Sequence, residues 1–229
     1  MKIIPYSTIT QWYQEEYSQE ESESVYGSPQ EHLLKFYDVL ASYPDLKTVL
    51  DLGCGDGVDM ISLAERGYHV TGIDQSGEEA VLYRAKQKSL DNVNFITGDI
   101  TSYPFDTQSY DSVLCSGVFH LLSAENIELV ANKAKKALNP GGLIYLDVVA
   151  NMKRVFRESA EEFTYSGLAN WSAQQAQDFF TRLFVDWSVL ELFSFHKEAD
   201  WPVKEGPYPI DPYHWSADYV CVIAKNSPA

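Results

Sequence analysis

The sequence predicts an α/β fold, a parallel sheet covered by helices on both faces. Two observations carry this. Short apolar runs alternate with segments of helical periodicity between residues 47 and 149, and the first run, Val49-Leu50-Asp51-Leu52, breaks into glycines at 53, 55 and 57 where a strand would turn into a helix. Parallel strands need a crossover of a dozen or more residues, and the helical segments supply it.

In chain order, strands are expected at residues 47–52, 69–73, 93–97, 111–116 and 142–149, with helices between them at 58–65, 78–89 and 125–138. A further helix is expected at residues 30–40, ahead of the first strand. Residues 15–24 are acidic and rich in serine and read as a solvated helix end or flexible segment. After Val149 the texture changes. Residues 151–184 carry helical stretches rich in Phe, Gln and Ala, and residues 187–195 and 218–224 read as a sixth and a seventh strand.

The chain of 229 residues, 45% hydrophobic and 22% charged, suits one soluble domain. A formal charge of −16 repels polyanions, so nucleic acid is excluded as a partner. Cys54, Cys115 and Cys221 are odd in number and fall in a turn and two strands, which points to reduced thiols rather than a disulfide framework. No apolar stretch is long enough for a secretory signal or a membrane span, and no metal-ligating set is read, so a cytoplasmic protein without a membrane or metal is expected.

The glycine turn permits positive φ and lets a ligand approach backbone amides without a Cβ in the way. The dinucleotide fingerprint G-x-G-x-x-G would place its last glycine at Val58, so the third glycine here comes one residue early. Asp51, two residues before Gly53, would repel a pyrophosphate and suits an amino group. Three later strand ends carry suitable residues. Asp74 lies about 20 residues after Gly53, the offset at which a carboxylate meets ribose hydroxyls. Gly98-Asp99-Ile100 follows the third strand and Ser116-Gly117-Val118 the fourth, and Pro140-Gly141-Gly142 precedes the fifth. Each alone reads as an ordinary turn, and Asp74 alone as a helix cap; their order and spacing make chance agreement improbable.

Taken together, the D-x-G-x-G-x-G run at residues 51–57 and these stations resemble the class I S-adenosylmethionine-dependent methyltransferases. The resemblance implies a Rossmann-like, seven-stranded mixed sheet in the order 3-2-1-4-5-7-6, closed by an antiparallel hairpin, with S-adenosyl-L-methionine as cofactor. It implies donor contacts from Asp51, Gly53, Cys54 and Gly55, from Asp74 and Gln75 on the ribose, from Asp99 and Ile100 on the adenine, and from Cys115 and Ser116 where donor and acceptor meet. One domain spans residues 1–229: a helical cap (1–45), a cofactor core (46–150), a helical lid over the acceptor (151–184) and a C-terminal hairpin (185–229). Tyr13, Tyr17 and Trp171 are expected in the acceptor pocket, and a hydroxyl such as that of Tyr26 on the donor's carboxylate. His120 is the candidate general base, because an imidazole suits proton removal near neutral pH; His196, Glu198 and His214 are further candidates. After the fourth strand there is neither an Asn/Asp-Pro-Pro-Tyr/Phe motif nor a Pro-Cys nucleophile, which leaves a small-molecule acceptor. Two alternatives stand beside this: a non-catalytic donor-binding sensor or activator subunit, and an NAD oxidoreductase.

Overall fold

The computed structural model describes residues 1–17, 24, 27–201 and 211–226. Its strands are β1 (Lys2–Ile4), β2 (Thr48–Leu52), β3 (His69–Asp74), β4 (Val93–Thr97), β5 (Tyr110–Cys115), β6 (Leu138–Phe156), β7 (Phe163–Tyr165), β8 (Ser188–Trp201) and β9 (Tyr213–Lys225). Its helices are α1 (Tyr6–Tyr17), α2 (Glu31–Ala41), α3 (Val58–Glu65), α4 (Glu78–Gln87), α5 (Ala124–Ala137) and α6 (Ala173–Leu183). Seven strands pair in the order β4-β3-β2-β5-β6-β9-β8. Numbered within the sheet, this is the expected 3-2-1-4-5-7-6, parallel except for β9, which runs antiparallel to both β6 and β8. Register aligns Leu52 with Ile73, Asp74 with Thr97 and Asp51 with Leu114, so the carboxyl ends of β2 to β5 share one edge.

Alternation along the strands divides the core between two faces. Leu50, Val113, Leu146 and Val222 pack against α5 and α6, through Ile127, Val130, Phe179 and Phe180. Val49, Leu114, Tyr145 and Cys221 pack against α2, α3 and α4, through Phe36, Leu40, Met60 and Val81. A third, smaller cluster joins Ile9 of α1, Phe163 and Tyr165 of β7, Phe156 and Tyr213. It holds the two-stranded parallel sheet β1–β7 beyond the edge of the main sheet.

Residues 151–184 differ from the helical lid expected of them. β6 continues to Phe156, β7 follows, and only residues 173–183 are helical. That helix opens on a capping box between Ser172 and Gln175, and its Ala176, Phe179, Phe180 and Leu183 recur at helical spacing and are buried on the sheet. Enough apolar side chains line one face of α6 to make it a core helix. The cap expected at residues 1–45 also divides, since α2 buries Leu33, Phe36, Tyr37 and Leu40 in the core and reaches the cavity with His32, while α1 crosses the site.

Candidate active site

The β2–α3 turn is built for close approach. Gly53 has φ +71°, and a Cβ there would lie 2.5 Å from Cγ2 of Val118. Gly55 has φ +55°, and its Cβ would touch the ring of Tyr17 at 3.0 Å. α1 thus lies across the turn, with Tyr17 itself buried. Asp74 braces the turn from β3: its Oδ2 accepts from the Gly55 amide at 2.9 Å and its Oδ1 from the Ser76 amide at 3.1 Å. Burial nevertheless pushes the Asp74 carboxyl above its ordinary range.

Two cavities meet along this turn and share Tyr13, Tyr17, Gly53, Gly117 and Leu121 as walls. The smaller, about 120 Å³, is lined by Asp74, Gln75, Asp99, Ile100 and Val118, at the ends of β3, β4 and β5. There Asp99 Oδ1 accepts from the amide and the hydroxyl of Thr101, both at 2.8 Å. The larger, about 370 Å³, begins at Asp51, Cys54 and Ser116 and runs out under the extended parts of β6, β8 and β9.

The near end of the larger cavity is acidic. Asp51 is 4% exposed and its Oδ2 has no hydrogen-bond partner; burial, then Asp59 and Asp74, hold its carboxyl well above the usual range. Asp59 accepts a hydrogen bond from the Tyr37 hydroxyl, yet burial pushes its pKa up to about 6. Asp56 is paired with Arg84 at 3.5 Å, both buried, and accepts from the Ser24 hydroxyl at 2.8 Å.

One residue that the sequence did not single out fixes the end of β5. Asp147, fully buried on β6, accepts from Ser116 Oγ at 2.6 Å, from the Gly117 amide at 2.9 Å and from the Tyr145 hydroxyl at 3.1 Å. His32 of α2 places Nε2 3.7 Å from the same carboxylate and lines the cavity. A lone Asp inside the apolar run 143–149 was the available signal, since a buried carboxylate must be partnered.

The far end holds His120, Arg154, Tyr165, Tyr213 and Trp215. His120 Nδ1 is buried with no hydrogen-bond partner, and burial, then the Arg154 guanidinium, depress its pKa to about 4. Its imidazole is neutral at physiological pH. Arg154 reaches this wall through a β-bulge. The register between β6 and β9 slips between Ala150 and Lys153, where Asn151 adopts φ +51°, is tied to Asp218 at 2.7 Å, and Asn170 clamps both the amide and the carbonyl of Met152. One extra residue switches the face on which later side chains emerge. Arg154 therefore sits opposite Trp215 rather than below Val148 and Ala150.

Several expected positions lie elsewhere. Cys115 is 1% exposed in the core and lines neither cavity; burial, then Asp147 and Asp51, raise its thiol pKa. Trp171 packs edge-on against Phe179 at 5.0 Å, under α6, and lines neither cavity, because the segment that carries it folds onto the sheet. His196, Glu198 and His214 emerge from the opposite face of the β8–β9 hairpin, exposed, where His196 pairs with Asp218 at 2.8 Å and His214 with Asp200 at 3.1 Å. The alternation of these strands turns Lys197 and Ala199 inward instead. Tyr26 lies outside the described residues. Among the described residues there is no group of three or more His, Cys, Asp or Glu side chains fit for a metal ion, and no helix long and apolar enough to cross a membrane.

Comparison with known proteins agrees with this geometry. Residues 49–142 match the model of a methyltransferase domain. The chain is 30% identical over 167 residues to a cypemycin N-terminal methyltransferase of Streptomyces, covering 69% of this chain and 67% of that protein. It is 28% identical over 177 residues to a putative methyltransferase of Bacillus subtilis named YqeM, covering 72% of each. In fold it is similar to the 1,6-didemethyltoxoflavin-N1-methyltransferase of Burkholderia thailandensis, solved with bound 1,6-didemethyltoxoflavin and S-adenosylhomocysteine, at a TM-score of 0.61 and 15% identity over 97% of this chain and 87% of that one.

Proposed function

The chain belongs to the class I S-adenosylmethionine-dependent methyltransferases, and from that premise we propose that it methylates a small-molecule acceptor held at the far end of the 370 Å³ cavity. The observation that carries this is the continuity of one cavity from the glycine turn and Asp51 to the half-buried, neutral imidazole of His120.

The residues present fit the donor. Asp51 offers a carboxylate oxygen without a partner, and Gly53 and Gly55 form a cradle that any Cβ would fill. In this proposal Asp51 and Asp59 hold the donor's ammonium, and Cys54 and Gly55 line its methionine portion. Asp74 and Gln75 hold the ribose. Asp99 meets the adenine amine, and Ile100, 6% exposed, gives the ring an apolar shelf. When bound, S-adenosylmethionine supplies a methyl carbon activated by its sulfonium, which passes in line to the acceptor atom while the electrons of the broken bond return to sulfur. The protein's part is placement and exclusion of water. Ser116 and Gly117, held by Asp147, fix the wall where donor and acceptor meet; Tyr13 and Tyr17 close it from α1. Where the acceptor atom carries a proton, His120 receives it.

Labelled methyl groups from S-adenosylmethionine are expected to appear in small, protein-free products of a metabolite extract. His120→Ala is expected to lower turnover about 10²–10⁴-fold, the range for loss of a general base. Label found only in protein or nucleic acid refutes the small-molecule acceptor, and full turnover of the variant at every pH removes His120 from the chemistry.

A further inference from the structure

Arg154 is the least expected charge in the cavity. It is 8% exposed, it lines the cavity, and among the described residues no carboxylate pairs with it. Two phenols stand beside it: the ring of Tyr165 lies 5.1 Å from the guanidinium carbon, and the Tyr213 hydroxyl is close to both. Arg157, three residues on, instead pairs with Asp200 at 3.8 Å at the exposed rim of the cavity. The Tyr165 hydroxyl is also buried, with the Tyr213 hydroxyl beside it. A second cation, Lys197, lines the same cavity and donates to Gln30 at 2.7 Å.

Removing a guanidinium from water without an anion is expensive, and a bulge clamped by Asn170 and Asp218 holds this one in place. A planar guanidinium beside a buried phenol hydroxyl offers donors in one direction, the match for a planar carboxylate. Around it the walls are aromatic, from Tyr13, Tyr165, Tyr213, Trp215 and Tyr219.

We infer that Arg154 and Tyr165 form the anchor of the acceptor site, and that the acceptor is a small aromatic or heteroaromatic acid bound through its carboxylate. This rests on the methyl-transfer function proposed above and names the acceptor class for that site. The carboxylate held on Arg154 is not the atom that is methylated. A second heteroatom of the same molecule, turned toward His120 and the glycine turn, receives the methyl group, so the product keeps its negative charge.

The test titrates matched acid and amide pairs, benzoate with benzamide and indole-3-acetate with indole-3-acetamide, into the protein saturated with S-adenosylhomocysteine. Wild type, Arg154→Met and Arg154→Lys are compared, with circular dichroism to establish folding. In the wild type the acids are expected to bind at least tenfold more tightly than their amides. Arg154→Met is expected to lose that preference while keeping its Kd for S-adenosylhomocysteine within twofold, and Arg154→Lys to retain part of it; if the Met variant does not fold, the Lys variant carries the comparison. Equal binding of acid and amide, or no binding of either acid, overturns the proposal. A tenfold loss of S-adenosylhomocysteine affinity in Arg154→Met also overturns it, because Arg154 then serves the donor's carboxylate. A wild-type chain that binds no S-adenosylhomocysteine is a different result, which refutes the underlying donor site.

Discussion

His120 gives a sharp prediction for stability, because its folded and unfolded states differ in proton affinity across a pH range that unfolding experiments reach. The imidazole is enclosed at the cavity wall with Nδ1 unpartnered, and burial and Arg154 bring its pKa from an ordinary 6.5 to about 4. A depressed pKa means that below 6.5 the unfolded chain binds a proton that the folded chain refuses. Stability therefore falls as pH drops from 6.5 toward 4. The difference reaches about 2 kcal/mol at pH 5 and about 3 kcal/mol at its limit, from 1.36 kcal/mol per pKa unit. His120→Gln removes this linkage and leaves every other titrating group in place. Urea unfolding at pH 7, 6 and 5, run on both proteins, isolates the term: the wild type is expected to lose about 2 kcal/mol more than the variant over that range. Parallel losses would refute the argument, as would a resonance assigned to His120, absent from the His120→Gln spectrum, titrating near 6.5. The same depression keeps the base unprotonated through the physiological range, so at saturating donor the acid limb of kcat/KM for the acceptor should have its midpoint near 4.

Other expectations follow from single contacts. Gly53→Ala places a Cβ at positive φ and 2.5 Å from Val118, so a loss of about 1–2 kcal/mol in stability and at least tenfold in S-adenosylhomocysteine affinity is expected by calorimetry. Asp147→Ala strands the Tyr145 hydroxyl in the core and frees the part-buried Ser116 hydroxyl and Gly117 amide toward the cavity; at about 1–3 kcal/mol for the one buried group, unfolding in urea should show a loss of about 1–3 kcal/mol. Removal of the guanidinium in Arg154→Met should raise the His120 pKa, read by the histidine resonances.

The cofactor half of the site was legible because its signals are local. A strand that ends in glycine, followed by a helix, repeats the same requirement wherever it occurs, and carboxylates at 51, 74 and 99 stand at strand ends that the apolar runs already mark. Sheet order followed from the resemblance once those strands were placed. The acceptor half depends on pairing between residues distant in sequence. Nothing local to 151–156 announces that β6 continues, since its extension is paid for by β9, more than fifty residues later, and by the small cluster around Phe156 and Phe163, whose rings stack at 4.2 Å. The bulge at Asn151 then decides which face Arg154 occupies, a question of parity that only the register answers. Trp171 shows the reverse case. An aromatic residue outside the strand pattern looked free to line a pocket, but the capping box one residue later starts a helix that draws it into the core.

The acidic end of the cavity links donor binding to pH, and the direction can be worked out. Asp51 and Asp59 both have raised pKa values, chiefly from burial, and Asp59 stands at about 6. The fold favours their protonated forms, so the stability that Asp59 contributes is present in acid and is lost as pH rises from the ordinary carboxylate range through 6. An ammonium group brought between them reverses the preference, because a nearby cation favours the charged carboxylate. Binding should then expel a proton. On this argument S-adenosylhomocysteine affinity rises with pH from 5 to about 6 by up to tenfold per unit for each proton released, and flattens above the point where the last carboxyl ionises. Calorimetry in two buffers of different ionisation enthalpy measures the proton directly. Asp59→Asn should remove the limb centred near pH 6 and leave any contribution from Asp51. An affinity that does not change between pH 5 and 7 in the wild type would mean that the ammonium sits away from both carboxylates, and that the acidic end serves the fold rather than the donor.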